Sequence, residues 1–318
     1  MSHGQQRCWA RFLLLDHGGL RFFRRHMTGL SRSAVAATAG TVSIGGIGGS
    51  GTRLVAAILA QLGYCLDGDN NATLDNLWFT LLFKRRDVLG LAEDEFSRRV
   101  DIFLNAMTAR VALTDHEKYV VAMLAREPPP DLSVEKLNSV AGSLLAVQPR
   151  LLTDGGRWGW KEPNTHIVID RLAARMPGLK YIHVVRNGLD MAYSSNQTQL
   201  RLWGSFFLGE DGLDVTPRNS LKFWCAIHRR ILGIEAELGD RVLLMSFDAL
   251  CLRPDDMLDR LCEFLGCEPT VSQRACVRRL IQRPASIGRF KKRSPRDCDR
   301  ADVEFVASLG FDTRFGSE

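Results

Sequence analysis

The sequence predicts an α/β fold, a parallel sheet with helices on both faces. Three observations predict it. Short apolar, β-branched runs recur along the chain, and each is followed by a helical pattern. The first of them runs into five glycines within seven positions, Gly45 to Gly51, directly before an amphipathic stretch. The composition, 45% hydrophobic and 25% charged over 318 residues, suffices for one large globular domain or two small ones.

The glycine-rich stretch spans Thr41 to Gly63, TVSIGGIGGSGTRLVAAILAQLG. Val42 and Ile44 read as a buried strand, and Thr52 and Arg53 lead into a helix ending near Gly63. Strand, glycine loop and helix together hold an anion. Glycine lets the backbone approach a ligand closely, and a helix start offers unpaired N–H groups at the positive end of its dipole. The spacing Gly46 to Gly51 fits a nucleotide phosphate loop, but Thr52 stands where that motif needs lysine. Gly46-Ile47-Gly48-Gly49-Ser50-Gly51 also fits a dinucleotide fingerprint, with Asp67 or Asp69 near the acidic position.

Helical patterns dominate from about 75 to 150, broken at Glu127-Pro128-Pro129-Pro130 and restarting at Ser133. This block reads as a helical insertion beside the sheet that shapes an acceptor pocket. Trp158–Lys161 is a short strand, followed by a helix that starts at Pro163 and runs to about Met176. Lys180–Val185 is a further strand. It leads into Arg186-Asn187-Gly188-Leu189-Asp190 and a helix continuing through Ser194 and Ser195. Pro217 opens a long helix to Leu238, Arg241–Phe247 is another buried strand, and Pro254–Leu265 and Thr270–Ile281 are closing helices.

Residues 1–40 read as an appended arm, with six arginines and three histidines against one acid, Asp16. The expected domain is 41–318. A net charge of +6 suits an anionic ligand but is too dispersed for nucleic acid, and no aromatic–basic interleaving supports a single-strand groove. The eight cysteines show no zinc spacing and read as reduced, mostly buried thiols of a cytoplasmic protein. No apolar run approaches the ~18 residues of a membrane span.

The run Gly-Ser-Gly-Thr-Arg before a helix resembles the first motif of the sulfotransferase superfamily, which uses 3′-phosphoadenosine-5′-phosphosulfate (PAPS). Arg186 at a strand end, with Ser194 eight residues later, resembles its second motif, the pair that holds the 3′-phosphate of PAPS. Trp160-Lys161-Glu162-Pro163 is similar to the family's Lys-x-Pro element, and Arg241–Phe247 with the following helix to its C-terminal strand and helix. Ser286-Ile287-Gly288-Arg289-Phe290-Lys291 resembles the basic loop that closes over the 3′-phosphate.

The resemblance, about 41 to 292 in the family's order, implies a three-layer fold of the P-loop NTPase type. It implies in-line transfer of a sulfuryl group from PAPS to an acceptor hydroxyl or amine, without a metal. Gly48, Gly49, Ser50, Gly51, Thr52 and Arg53 would hold the 5′-phosphosulfate, Lys161 would assist the leaving oxygen, and Arg186, Ser194 and Arg289 would hold the 3′-phosphate. Many members carry a cation where this loop has Gly49, so Arg53, Lys161 or both would inherit that task. The base is expected at Asp69, with Asp75 in reserve. Glu162 is expected to ion-pair with Lys161, His116 to lie on the surface, His183 to be a satisfied core residue, and Asp190 to cap a helix or brace Arg186. The acceptor class stays open among saccharide, lipid and small metabolite. Two other readings are an NAD(P)-binding oxidoreductase and a non-catalytic nucleotide-binding relative.

Overall fold

The computed structural model describes residues 40–66, 68–108, 112–128, 132–147, 156–210 and 214–316. The basic arm and Asp67 lie outside the described residues. Four parallel strands form one sheet in the order β2-β1-β3-β4: β1 Thr41–Gly46, β2 Trp158–Lys161, β3 Lys180–Val185 and β4 Val242–Ser246. With β1 central, its C-terminal glycines emerge between two neighbouring strand ends, the crevice where open α/β sheets bind ligands.

Strand alternation builds two cores. Val42, Ile44, Ile182, Val184, Leu243 and Met245 point to one face. There they meet α1 (Thr52–Gln61) and, at the chain's other end, helices Phe247–Leu252, Pro254–Leu265 and Val271–Leu280. Trp158, Trp160, Tyr181 and Val185 point to the opposite face.

Four helices between β1 and β2 supply much of that second face: α2 Leu77–Phe83, α3 Glu93–Thr108, α4 Asp115–Ala125 and α5 Val134–Leu145. Phe79 stacks on Trp160 at 5.8 Å and Phe103 meets it edge-on at 5.0 Å, which docks this block on the β2 side of the sheet. After α1 the chain returns along the outer edge of β2: Gly159 N–H bonds to Cys65 O at 3.0 Å, and Asn76 N–H bonds to Lys161 O at 2.8 Å.

Two expected helices differ. The segment after Pro163 is a 3₁₀ turn, Pro163–Ile167, and then a separate helix α6, Ile169–Arg175. Val168, at φ −124° and ψ 12°, breaks the ladder between them. The helix after β3 is one short turn, α7 Gly188–Ala192, and stops before Ser194. Gln197 Nε2 donates to Met191 O and Ser194 O, and Asn196 N–H donates to Ser194 Oγ, so local polar groups outcompete helical continuation. α8 Thr198–Leu208 and α9 Pro217–Leu238 follow, and α13 Arg300–Ser308 ends the fold. No helix among the described residues is long and apolar enough to cross a membrane.

Candidate active site

Three strand-to-helix junctions meet above β1. At the first, Gly46, Gly49 and Gly51 have φ of 150°, 95° and 102°, values that L side chains adopt only with strain. Gly51 is also sterically obligatory, since a Cβ there would lie 2.1 Å from the Phe247 ring. Being the N-cap of α1, Gly51 makes no side-chain cap bond, so no cap occupies the Thr52 and Arg53 amides, while the Leu54 N–H bonds to Gly51 O at 3.0 Å. Ser50 N–H closes the loop onto Ile47 O at 2.9 Å. The Ser50 hydroxyl is buried and has no hydrogen-bond partner among the described residues. Thr52 is buried, and Arg53 is exposed at the helix start.

At the second junction Arg186 is 7% exposed. Its Nη1 donates to Gly49 O at 3.2 Å and its Nη2 to Ser286 Oγ at 2.7 Å. Four cationic side chains are buried among the described residues: Arg85, Arg99, Lys161 and Arg186. The first three each pair with a carboxylate; Arg186 has none at ion-pair distance among the described residues, although the nearby Asp248 and Asp190 carboxylates favour its charge. Burial, then neighbouring Arg289, pull the Arg186 guanidinium below its ordinary value. Ser194 lies on the other side of Gly49, with Oγ 3.8 Å from the place of a Cβ there. The fold thus brings Gly49, Arg186 and Ser194 together. Arg289 joins them through its Nε–H bond to Ser286 O at 3.2 Å. Asp190 neither caps α7 nor ion-pairs with Arg186. Its carboxylate accepts Gly288 N–H at 2.7 Å and Phe290 N–H at 3.2 Å, anchoring the basic loop, while Asn187 caps α7.

Phe247, expected only as the last residue of a buried strand, instead starts the helix at the third junction. It fills the space Gly51 leaves, and the Arg186 guanidinium sits over its ring at 5.2 Å. The only available signal was its place at the end of an apolar run.

Lys161 ends β2, buried, ion-paired with Asp75 Oδ1 and hydrogen-bonded to Thr73 O at 2.8 Å. Asp75 Oδ2 accepts from Thr73 Oγ1 at 2.7 Å and Asn71 Nδ2 at 3.0 Å. Burial pushes the Asp75 carboxyl up, but Lys161 and these hydrogen bonds together hold it below the ordinary value. Asn71 Oδ1 in turn accepts the amides of Thr73 and Asp75, each at 2.9 Å. That knot forces Leu74 to φ 64°, the one non-glycine with positive φ among the described residues.

Asp69 is not part of this pair: its Oδ2 accepts from Ser143 Oγ on α5 at 2.7 Å. Glu162 is not the partner of Lys161 either. On extended backbone, adjacent side chains point to opposite sides, and Glu162 caps the 163–167 turn through Asn164 N at 2.5 Å and Nδ2 at 2.9 Å. Burial pushes its carboxyl up to about 7. His116 is exposed on α4. His183 is buried as expected but only half satisfied: Tyr181 Oη meets its Nδ1 at 2.7 Å, its Nε2 has no partner among the described residues, and its ring lies 5.2 Å from His228 and 5.9 Å from His166. The cysteines of the described residues are free thiols, with Cys225, Cys262 and Cys298 buried.

A model of the sulfotransferase family matches residues 42–271. The sulfotransferase domain from the curacin biosynthetic pathway has a similar structure, with TM-score 0.50 at 17% identity, covering 86% of this chain and 98% of that one. Two others are similar at lower scores. The sulfotransferase domain of the Synechococcus PCC 7002 olefin synthase gives TM-score 0.44 at 17% identity, over 86% of this chain and 94% of that one. Sulfotransferase STF9 from Mycobacterium avium gives TM-score 0.43 at 15% identity, over 88% and 79%. No curated protein matches. The family match spans all four strands and all three junctions, and this chain belongs to the sulfotransferase family.

Proposed function

We propose that the protein transfers a sulfuryl group from PAPS to an acceptor hydroxyl or amine. One observation carries the choice of donor: Arg186 is a buried guanidinium that no carboxylate among the described residues pairs at ion-pair distance, and its Nη1 reaches the glycine loop at Gly49 O. A buried cation needs a counter-charge. A nucleotide bearing phosphate at both 3′ and 5′ positions supplies one anion for Arg186, Ser194 and Arg289 and another for the loop. Arginine's planar fork matches phosphate oxygens. In this reading Gly48, Gly49, Ser50, Gly51, Thr52 and Arg53 hold the phosphosulfate.

Lys161 stabilises charge on the leaving oxygen, a role that typically contributes about 10²–10³-fold. The base is Asp75 in preference to Asp69, because Asp75 sits on the Lys161 ammonium that would meet the leaving oxygen, whereas Asp69 lies on Ser143 of α5. Held ionised by Lys161, Asp75 accepts the acceptor's proton as its oxygen attacks sulfur in line with the departing phosphate. The acceptor is a small molecule, a lipid or a saccharide.

The test is calorimetric titration with adenosine 3′,5′-bisphosphate, followed by sulfuryl transfer from PAPS to a panel of alcohols and amines. Saturable binding plus transfer supports the proposal. Binding without transfer identifies a non-catalytic relative, and no binding by folded protein removes PAPS as donor.

A further inference from the structure

We propose that Gln199 is a positioning residue that holds the glycine loop in its anion-binding form. This rests on the reading just given. Gln199 stands in the first turn of α8, 5% exposed, outside every motif that the sequence singled out. Its Nε2 donates to Gly46 O at 3.2 Å. Its Oε1 faces His166 Nε2 at 3.0 Å. Gly46 O only accepts, so the amide nitrogen must face the loop. Oε1 only accepts, so His166 Nε2 carries the hydrogen. Both groups are thereby fixed in one orientation.

His166 is itself held from behind. Arg230 Nη1 bonds to its carbonyl at 2.5 Å, and Arg230 pairs with Asp170 at 3.0 Å. The chain of support runs from α9 through His166 and Gln199 to the first turn of the loop.

Gly46 is where such support matters. With φ of 150° and no Cβ, it resists rotation of the following peptide plane only weakly. That plane is rigid, so its C=O and the Ile47 N–H point in opposite directions. Fixing the Gly46 carbonyl on Gln199 fixes the Ile47 amide and sets the direction in which the chain enters Gly48 and Gly49. Burial drives the His166 ring well below its ordinary value, to about 3, so the histidine stays neutral and the contact persists across the physiological pH range.

The experiment compares the full-length protein with Gln199→Met, which keeps the shape and removes both hydrogen bonds. His166→Asn is a second variant that leaves Gln199 in place without its support. Val121→Ala, a core truncation in α4, is the control for general destabilisation. Two readouts are taken: hydrogen exchange of residues 45–53 without ligand, and binding of adenosine 3′,5′-bisphosphate with KM and kcat for PAPS.

Gln199→Met is expected to speed exchange in that segment and to weaken bisphosphate binding roughly tenfold, the loss of one neutral hydrogen bond. KM for PAPS rises with it while kcat changes little. His166→Asn does the same to a smaller degree, and carries the test should Gln199→Met not fold. Unchanged loop exchange and affinity in the folded variants overturn the proposal, as does an equal effect from Val121→Ala. Wild-type protein that fails to bind the bisphosphate overturns the nucleotide reading alone, and the exchange measurement still decides whether Gln199 holds the loop.

Discussion

In the proposed reaction Arg186 and the Lys161–Asp75 pair carry the chemistry, and single substitutions test it. Arg186→Ala should weaken bisphosphate binding about 10- to 100-fold, since charge-assisted bonds contribute about 1.5–3 kcal/mol each. Arg186→Lys should fall between, keeping the charge and losing the fork; calorimetry reads both. Asp75→Asn should lower kcat by about 10²–10⁴ with bisphosphate affinity retained, the signature of a lost base. The pH profile of the wild type tests the same assignment. The Asp75 carboxyl is held below its ordinary value, so the base is ionised throughout the neutral range. Loss of activity on its protonation is therefore expected only below the ordinary carboxylate range, and an acid limb near neutrality would assign the base to another group. Arg186 and Lys161 were legible as residue types at strand ends, and Ser194 by its spacing eight residues after Arg186. The choice between Asp69 and Asp75 was not, because it depends on which carboxylate the return of the chain along β2 sets against Lys161.

The loop between β1 and α1 is where geometry is strictest. Gly51→Ala places a Cβ at φ 102° and within 2.1 Å of the Phe247 ring. The backbone strain costs about 1–2 kcal/mol, and overpacking adds about 1–3 kcal/mol. A fall in Tm together with lost bisphosphate binding is expected. Adding Phe247→Ala in the same chain removes the crowding and leaves the strain, so the double variant should recover part of the loss. The element itself was visible in the sequence as strand, glycines and helix. Its partner Phe247 was not, since it lies 196 positions from Gly51 and only the adjacency of β3 and β4 brings it near. Ser194 shows a complementary limit: the sequence placed it on a helix, while Asn196 and Gln197 end that helix and hold the serine beside Gly49.

Across the whole molecule, the buried histidines set the response to acid. Burial keeps His166 near 3 and His228 near 4, and drives His183 well below its ordinary value. An unfolded chain binds those protons from about pH 6.5 downward, so it holds more protons than the fold and stability falls as pH drops through that range. Each such proton contributes about 1.4 kcal/mol per pH unit. Glu162 acts in the opposite sense. Its carboxyl is raised to about 7 in the fold, so its share of stability is present at low pH and lost as pH rises toward 7. Three histidines outweigh one carboxyl, and Tm is expected to fall between pH 7 and pH 5. His228→Phe, which keeps a ring against Trp224, should flatten that fall; an unchanged slope would refute the account.

The sequence by itself determined the parallel α/β architecture, the glycine loop before α1 and the place of Arg186 at the end of β3. Each is written in neighbouring residues, through strand and helix periodicity and through glycine's backbone freedom. Tertiary structure alone decided that Arg186 is buried with no ion-paired carboxylate among the described residues, that Asp75 rather than Glu162 meets Lys161, and that Gln199 reaches Gly46. The physical reason is sequence distance. These contacts join residues brought together by parallel strand pairing and by the return of the chain along β2, and pairing between distant strands leaves no local periodicity to read.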